Sequence, residues 1–325
     1  MQTLSNLLHV SSSPHIRSQS STTTLMSDVV IALIPATAWG VYKFGWHAFW
    51  LVMACVISSI ATEYAYQKLM KRPVTIHDMS AMVTGILLAL NLPQTFPIWM
   101  AVVGSVFAIL VVKQVFGGIG QNFMNPALAA RCFLLISFGA QMTDFAVDTV
   151  SGATPLALIK NGTGSVEAIL AGDKLTVTDL FLGNIGGSMG EISTLMILIG
   201  AAYLLIRKVI SWRTPVMYLA TFTVFMGLFG GRGFDLTYLA AQLCGGGIML
   251  GAFFMATDYA TSPITKNGKL VYGVALGLVT GIFRIWSGSA EGVSYAIIFC
   301  NLLVPLIEKV TLPRFFGQGV TKNAK

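Results

Sequence analysis

The stretch AFWLVMACVISSIATEYAY, residues 48–66, decides the fold class. Its only formally charged residue is Glu63. A helix of about 20 apolar residues crosses the roughly 30 Å hydrocarbon core of a bilayer. The rest of the chain shares this character: 55% of its 325 residues are hydrophobic, 10% are charged, and the mean hydropathy is +0.75. The sequence therefore predicts a membrane protein.

Further apolar runs follow along the chain, and we predict that each is a membrane-spanning helix. With the first stretch included, the predicted spans are 29–42, 48–66, 79–92, 96–115, 124–141, 192–206, 216–229, 236–256, 270–286 and 293–307. The predicted fold class is an all-α polytopic membrane protein with about ten transmembrane helices.

The longest connection between spans, residues 142–191, divides the chain into five spans plus five. Because each half has an odd number of spans, the two five-helix halves are predicted to have opposite orientations, as in inverted repeats around a midplane site. The predicted parts are an N-terminal tail 1–26, a first half 27–141, the loop 142–191, a second half 192–308 and a C-terminal tail 309–325. The first span of each half, 29–42 and 192–206, is shorter than a straight crossing needs, which predicts broken helices.

The lysines and arginines predict which side of the membrane each loop faces. With the N-terminus in the cytoplasm, most of the lysines and arginines outside the spans fall in cytoplasmic loops and tails. The outward group is Lys43, Lys160, Lys174 and Arg232. This bias is typical of cytoplasmic loops and predicts that both termini are cytoplasmic and that the loop 142–191 faces outward. The formal charge of +7 is dispersed over these loops, so we do not expect nucleic-acid binding.

The sequence lacks the familiar motifs for a zinc-binding helix, a phosphate-binding loop and a disulfide framework. No two histidines have the spacing of a zinc-binding helix, no GxxxxGK[ST] loop occurs, and the four cysteines stand singly in apolar stretches. Glu63 lies near the inner end of its span and is predicted to reach the interface. Arg131 lies deeper, and we expect it to have a partner or an anionic ligand.

The polar segment DTVSGATPLA, residues 148–157, stands in the long loop. Gly152 permits a tight turn, and Pro155 biases Thr154 toward an extended conformation, so the segment is predicted to present the hydroxyl group of Thr154. No histidine or lysine lies beside Thr154 in the sequence to act as a base. Thr154 is therefore better suited to being modified by another enzyme than to attacking a substrate.

The pattern D-x-x-[ST]-G-A-T, formed here by Asp148, Ser151, Gly152, Ala153 and Thr154, resembles the acceptor motif of bacterial flavin transferases. These enzymes esterify FMN through its phosphate to the final threonine. With ten predicted spans and the motif in the outward loop, the chain resembles the D subunits of Rnf-type ion-translocating ferredoxin:NAD oxidoreductases. The related B subunits of sodium-pumping NADH:quinone reductases are similar but carry a longer N-terminal extension.

The resemblance implies a subunit of a complex in the bacterial cytoplasmic (inner) membrane. Such a complex passes electrons from reduced ferredoxin to NAD and couples them to export of Na⁺ or H⁺. The resemblance further implies covalent FMN on Thr154, a non-covalent riboflavin in the membrane part, and contacts with lipid and a flavin transferase. It implies as partners the A, B, C, E and G subunits, especially the other one with covalent flavin. Arg131 and the segment GSMGEIS, residues 187–193, are candidates for tuning the FMN ring.

Two other functions stay open from the sequence. The five-plus-five arrangement also suits a solute channel or transporter with no redox role. A purely structural membrane subunit is the third possibility. The sequence does not distinguish the two ions, because no cluster of carboxylates is predicted in mid-membrane.

Overall fold

The computed structural model describes residues 21–147, 150–151, 154–161, 166, 176–183, 186–288 and 292–313. Its helices are α1 (Thr22–Phe44), α2 (Trp46–Leu69), α3 (Ser80–Leu90), α4 (Ile98–Phe107), α5 (Pro126–Ser137), α6 (Gly139–Met142), α7 (Pro155–Asn161), α8 (Val177–Leu182), α9 (Thr194–Ile206), α10 (Arg213–Phe229), α11 (Leu236–Cys244), α12 (Ile248–Leu250), α13 (Lys266–Trp286) and α14 (Val293–Thr311). A short 3₁₀ helix covers Ile76–Asp78, and π-helices extend α4 over Ala108–Gln114 and α12 over Gly251–Met255.

The strands that the structure describes form one small hairpin in which β1 (Ala146–Val147) pairs with β2 (Val150–Ser151) in antiparallel fashion. Apart from this hairpin the described elements are helices, so the predicted all-α membrane fold class is confirmed. Among the described residues, α1, α2, α13 and α14 are long and apolar enough to cross a membrane, and α11 with α12 would make a fifth, bent span. The other predicted spans coincide with shorter helices, and the count of ten and the inverted halves stay predictions.

Polar side chains fix where several of these helices begin. Asn125 precedes α5, and its side-chain oxygen accepts the backbone N–H of Ala127 at 3.1 Å, while Pro126 occupies the first turn, where its missing N–H costs nothing. Ser193 caps α9 and Thr265 caps α13 in the same way. Helix starts that sequence periodicity leaves uncertain are therefore set by single residues.

The first helix is longer than its apolar run predicts. α1 begins at Thr22, inside the predicted N-terminal tail, and has 23 residues. It continues through the polar residue Asp28, which is buried, because Tyr203 donates to Asp28 at 2.9 Å and Arg207 pairs with it at 3.2 Å. The expectation of a short first span is therefore wrong for α1, whereas α9, with 13 residues, is as short as predicted.

The third predicted span of each half also departs from a long straight helix. α3 has 11 residues, and nearly all of them are buried. The matching span of the second half breaks at the glycines 245–247, where α11 and the segment Ile248–Met255 meet at a bend of 65°. Short or interrupted segments at corresponding positions of two halves are a feature of folds that enclose a midplane site between repeats.

Close helix contact in this protein depends on small residues. Gly277 of α13 faces α10, and a Cβ atom added to it would stand 2.8 Å from the carbonyl oxygen of Tyr218 and 2.7 Å from Cβ of Thr221. Glycine allows such an approach because it has no side chain, a common way for helices to associate in lipid. Large apolar side chains such as Ile34, Ile57 and Leu302 remain exposed on the outer surfaces, as expected where helices face lipid or other proteins of an assembly.

Candidate functional site

Thr154 lies directly before α7 and is half-buried. Its Oγ1 atom accepts the backbone N–H of Ala157 at 3.4 Å, and its carbonyl oxygen accepts the N–H of Leu158 at 3.0 Å. Thr154 is thus the N-cap of α7, with Pro155 at the first helical position. Because Oγ1 acts only as an acceptor in this bond, replacing its hydrogen by a phosphoryl group would leave the acceptor role in place.

The other residues of the acceptor pattern are less well defined. Ser151 belongs to strand β2, and its backbone pairs with Ala146. Asp148, Gly152 and Ala153 lie outside the described residues. The predicted turn before Thr154 therefore stays a prediction, whereas the position of Thr154 at a helix start is a finding.

A polar cleft of about 280 Å³ lies beside α7. We call it the cationic cleft because Lys160, Arg232 and Arg284 all line it. Its other described lining residues are Leu156, Ile159, Met226, Gly230, Gly231, Tyr238, Gln242 and Ile285. Lys160 comes from α7, Arg232 from the link between α10 and α11, and Arg284 from α13, so only the folded chain brings them together.

Lys160 and Arg232 are half-buried in the cleft. The ammonium group of Lys160 donates to the carbonyl oxygen of Ser287, and partial burial lowers the pKa of Lys160. The guanidinium of Arg232 lies 5.8 Å from the ring centre of Tyr238. Both cations therefore stand at the rim of the cleft, where a bound group could reach them.

Arg284 is buried and binds the broken end of α11. Its NH2 donates to the carbonyl oxygens of Gly245 at 2.8 Å and Gly246 at 3.2 Å, and its NH1 donates to both the backbone and the side-chain oxygen of Gln242. The last carbonyls of a helix lack partners within the helix, so the guanidinium supplies donors where the chain breaks. In the sequence, Arg284 is a single charge near the end of the predicted span 270–286, and no local pattern links it to the glycine triplet 245–247.

Arg131 of α5 forms a second buried centre. Its NH2 lies 3.5 Å from Oε1 of Glu191, and its NH1 donates to Ser294 at 2.9 Å and to Asn91 at 3.3 Å. The expectation that Arg131 needs a partner is met by a carboxylate of the segment 187–193. Arg131 is not among the described residues that line the cationic cleft, so its contact with a cofactor stays a prediction.

Glu63 does not reach the interface, and that prediction is wrong. Its side chain is 1% exposed and accepts from Lys113 at 2.9 Å and from Gln114 at 2.8 Å. Lys113 also donates to Ser80 at 2.5 Å. Two of the donors to Glu63 come from the π-helix after α4, and Gln67 of α2 donates to Oε1 of Glu63 at 3.3 Å. The residue is held in the protein because a buried carboxylate needs such partners.

A larger cavity of about 550 Å³ lies at the opposite end of the α13–α14 hairpin from the cleft. Its walls are mostly apolar, and its described polar lining residues include Ser80, Lys113, Asn122 and Asp258. Desolvation raises the pKa of Asp258, which follows the second π-helix. The volume is in the usual range for a bound small molecule.

These features define a polytopic membrane protein with a capped, half-buried threonine beside a cationic cleft and with buried ionic centres between its helices. The NQR2, RnfD, RnfE family model matches residues 9–317, and the chain belongs to this family.

Several relatives cover almost the whole chain. It is 52% identical to the D subunit of the Na⁺-translocating ferredoxin:NAD⁺ oxidoreductase complex of Acetobacterium woodii, over 98% of both chains. It is 38% identical to the D subunit of the proton-translocating ferredoxin:NAD⁺ oxidoreductase complex of Clostridium ljungdahlii, over 96% of this chain and 97% of the relative. It is also 38% identical to the D subunit of the ion-translocating oxidoreductase complex of Stutzerimonas stutzeri, over 93% and 94%. The resemblance to D subunits is thereby confirmed.

Proposed function

We propose that this chain is a membrane subunit of an ion-translocating ferredoxin:NAD oxidoreductase complex and relays electrons through FMN esterified to Thr154. The observation that carries the proposal is the position of Thr154, half-buried at the start of α7 with Oγ1 acting as an acceptor. The acceptor pattern in the sequence and the names of the three relatives support the same function.

FMN supplies reversible electron transfer, and the protein supplies its position and electronic surroundings. Thr154 holds the phosphate, so the redox ring stays free of the covalent bond. Leu156 and Lys160 line the cleft and stand two and six residues after Thr154. A helical rise of about 1.5 Å per residue puts this wall of the cleft about 3–9 Å along α7 from the attachment point. The ribityl chain and phosphate of FMN bridge a distance of that order.

In this proposal the complex lies in the bacterial cytoplasmic membrane, with the Thr154 loop outside and both termini inside. The excess of cationic residues in the loops predicted to be cytoplasmic supports this orientation. The partners are the A, B, C, E and G subunits, with electrons exchanged mainly with the other subunit that carries covalent flavin. A flavin transferase adds the FMN, and other subunits bind ferredoxin and NAD.

The proposal also includes a non-covalent riboflavin and the export of Na⁺ or H⁺. The 550 Å³ cavity supports the first, because apolar walls suit a flavin ring and the polar groups of Ser80, Asn122 and Asp258 suit ribityl hydroxyls. The relatives in Acetobacterium woodii and Clostridium ljungdahlii are named for different ions, so both ions stay in the proposal.

The attachment is tested by expressing the chain with its flavin transferase and looking for flavin fluorescence on a denaturing gel. We expect a fluorescent band that disappears in Thr154→Ala. Thr176→Ala is the matched control, because Thr176 caps α8 in the same loop and its loss should leave the fluorescence unchanged. Fluorescence that persists in Thr154→Ala would refute the attachment site.

A solute transporter is the second candidate function, favoured by the short helix α3 and the broken pair α11–α12 at corresponding positions of the two predicted halves. It predicts no covalent flavin and solute flux through the chain alone in proteoliposomes. A fluorescent band without any flux would exclude it.

A further inference from the structure

We propose that the cationic cleft receives the ring of the flavin carried by Thr154, and that Lys160 and Arg232 raise the midpoint potential of this flavin. The inference rests on the proposed attachment of FMN and goes beyond it, because it assigns the ring to a named cleft and gives two side chains a role in its electronics.

The placement of the two cations is unusual for this chain. Lys160 and Arg232 belong to the small group of cationic residues predicted to face outward, where the positive-inside bias disfavours them. They lie far apart in the sequence, yet both line the same cleft. The fold therefore brings two of the outward cationic side chains to one cleft, where both can approach the same bound group.

The position of the cleft relative to Thr154 supports the same group. Leu156, Ile159 and Lys160 project from α7 into the cleft, and Thr154 caps that helix. A ring tethered to Thr154 therefore starts at the helix that forms one wall. Met226, Ile285 and the ring of Tyr238 give the cleft apolar surface for a flat aromatic group.

Arg284 and the rim cations have different roles. Arg284 is buried and donates to the carbonyl groups at the broken end of α11, so it mainly holds the cleft floor in shape. Lys160 and Arg232 are half-buried at the rim, where they can approach a ligand. The electronic role is assigned to these two residues.

The chemistry explains the direction of the effect. A neighbouring flavin protein of the complex, acting as the reductant, delivers two electrons, and uptake of one proton leaves one net negative charge at the N1–C2 carbonyl edge of the ring. Lys160 and Arg232 stabilise this charge, and a cation close to a partly buried anion acts strongly because the local dielectric is low. Stabilising the reduced form raises the midpoint potential.

The test is an equilibrium redox titration of the assembled complex, followed by flavin absorbance. We expect Lys160→Gln and Arg232→Gln each to shift the midpoint potential of the Thr154 flavin to a more negative value. Arg232→Lys, which retains the positive charge, should keep the midpoint potential close to that of the wild type. Lys43→Gln is the control, since Lys43 is also predicted to face outward but is not among the described lining residues of the cleft. In-gel fluorescence of each variant reports attachment separately.

The outcomes separate the two proposals. Wild-type complex without covalent flavin would overturn both the attachment and this inference. Covalent flavin whose potential is the same in wild type, Lys160→Gln and Arg232→Gln would overturn this inference and leave the attachment standing. An Arg232→Lys shift as large as that of Arg232→Gln would also overturn it, because the charge is retained.

Discussion

Glu63 and Lys113 show how a membrane helix accommodates charge at the scale of single residues. The pair is buried, and Ser80, Gln114 and Gln67 add further hydrogen bonds to it. Such a network is favourable only while every member has a partner, since an isolated buried charge is far more costly than a paired one. The single charge in an otherwise apolar stretch therefore marks a specific contact between α2 and the π-helix after α4.

Removing one member of this pair should destabilise the protein. We expect Lys113→Met to lower the free energy of unfolding by about 3–5 kcal/mol, because it leaves the Glu63 carboxylate buried without its cation. The double variant Glu63→Gln with Lys113→Met should be more stable than Lys113→Met alone. Thermal unfolding of the purified protein in detergent measures both. Strictly additive effects of the two substitutions would contradict the contact.

The sequence singles out Thr154 and Arg131 but not the cleft. Thr154 stands out because its neighbours in sequence form the acceptor pattern, and its flavin stays a prediction. The partner of Arg131 was predictable because an arginine deep in a span needs one. The cationic cleft was not, because Lys160, Arg232 and Arg284 come from three segments that only the tertiary fold brings together. Glu63 was misjudged for the same reason: its cation is 50 residues away.

At the scale of elements, hydropathy predicted where the spanning helices lie, but not their π-helical turns, their breaks or the full length of α1. Each predicted apolar run coincides with a helix or helix pair, since length and apolarity are local properties. The two π-helices and the 65° break have no such local signature, apart from the glycines at 245–247. The extension of α1 through Asp28 depends on Arg207 at the C-terminal end of α9, so it could not be predicted from the local sequence.

The contact between α10 and α13 gives a test at this scale. Gly277→Ala should lower the free energy of unfolding by about 1–3 kcal/mol, because its Cβ would press on the backbone of Tyr218. Gly139→Ala is the control, since a Cβ at Gly139 meets nothing within 4 Å. Thermal unfolding compares the two, and equal stability of both variants would show that the helices do not pack as closely as described.

At the scale of the whole molecule, function depends on which end of the helix bundle faces outward. The cationic cleft and Thr154 lie at one end of the α13–α14 hairpin, and the 550 Å³ cavity lies at the other. The loop charges predict that the first end is outside. In that orientation a flavin on Thr154 can meet an outward partner, whereas the cavity opens toward the cytoplasm.

Two cysteine substitutions test this orientation. Leu236 and Ile264 are both 82% exposed and lie at the predicted outer and inner ends of the molecule. In a chain whose four native cysteines are replaced by alanine, Leu236→Cys should react with a membrane-impermeant thiol reagent in intact cells. Ile264→Cys should react only after permeabilisation. The reverse pattern would place Thr154 in the cytoplasm and contradict the proposed orientation.

The most direct test of the account is mass spectrometry of the proteolytic peptide that contains Thr154, taken from native membranes. The account predicts that this peptide carries the added mass of FMN less one water and that fragmentation places it on Thr154. A peptide recovered wholly unmodified, or with the flavin on another residue, would contradict the proposed function.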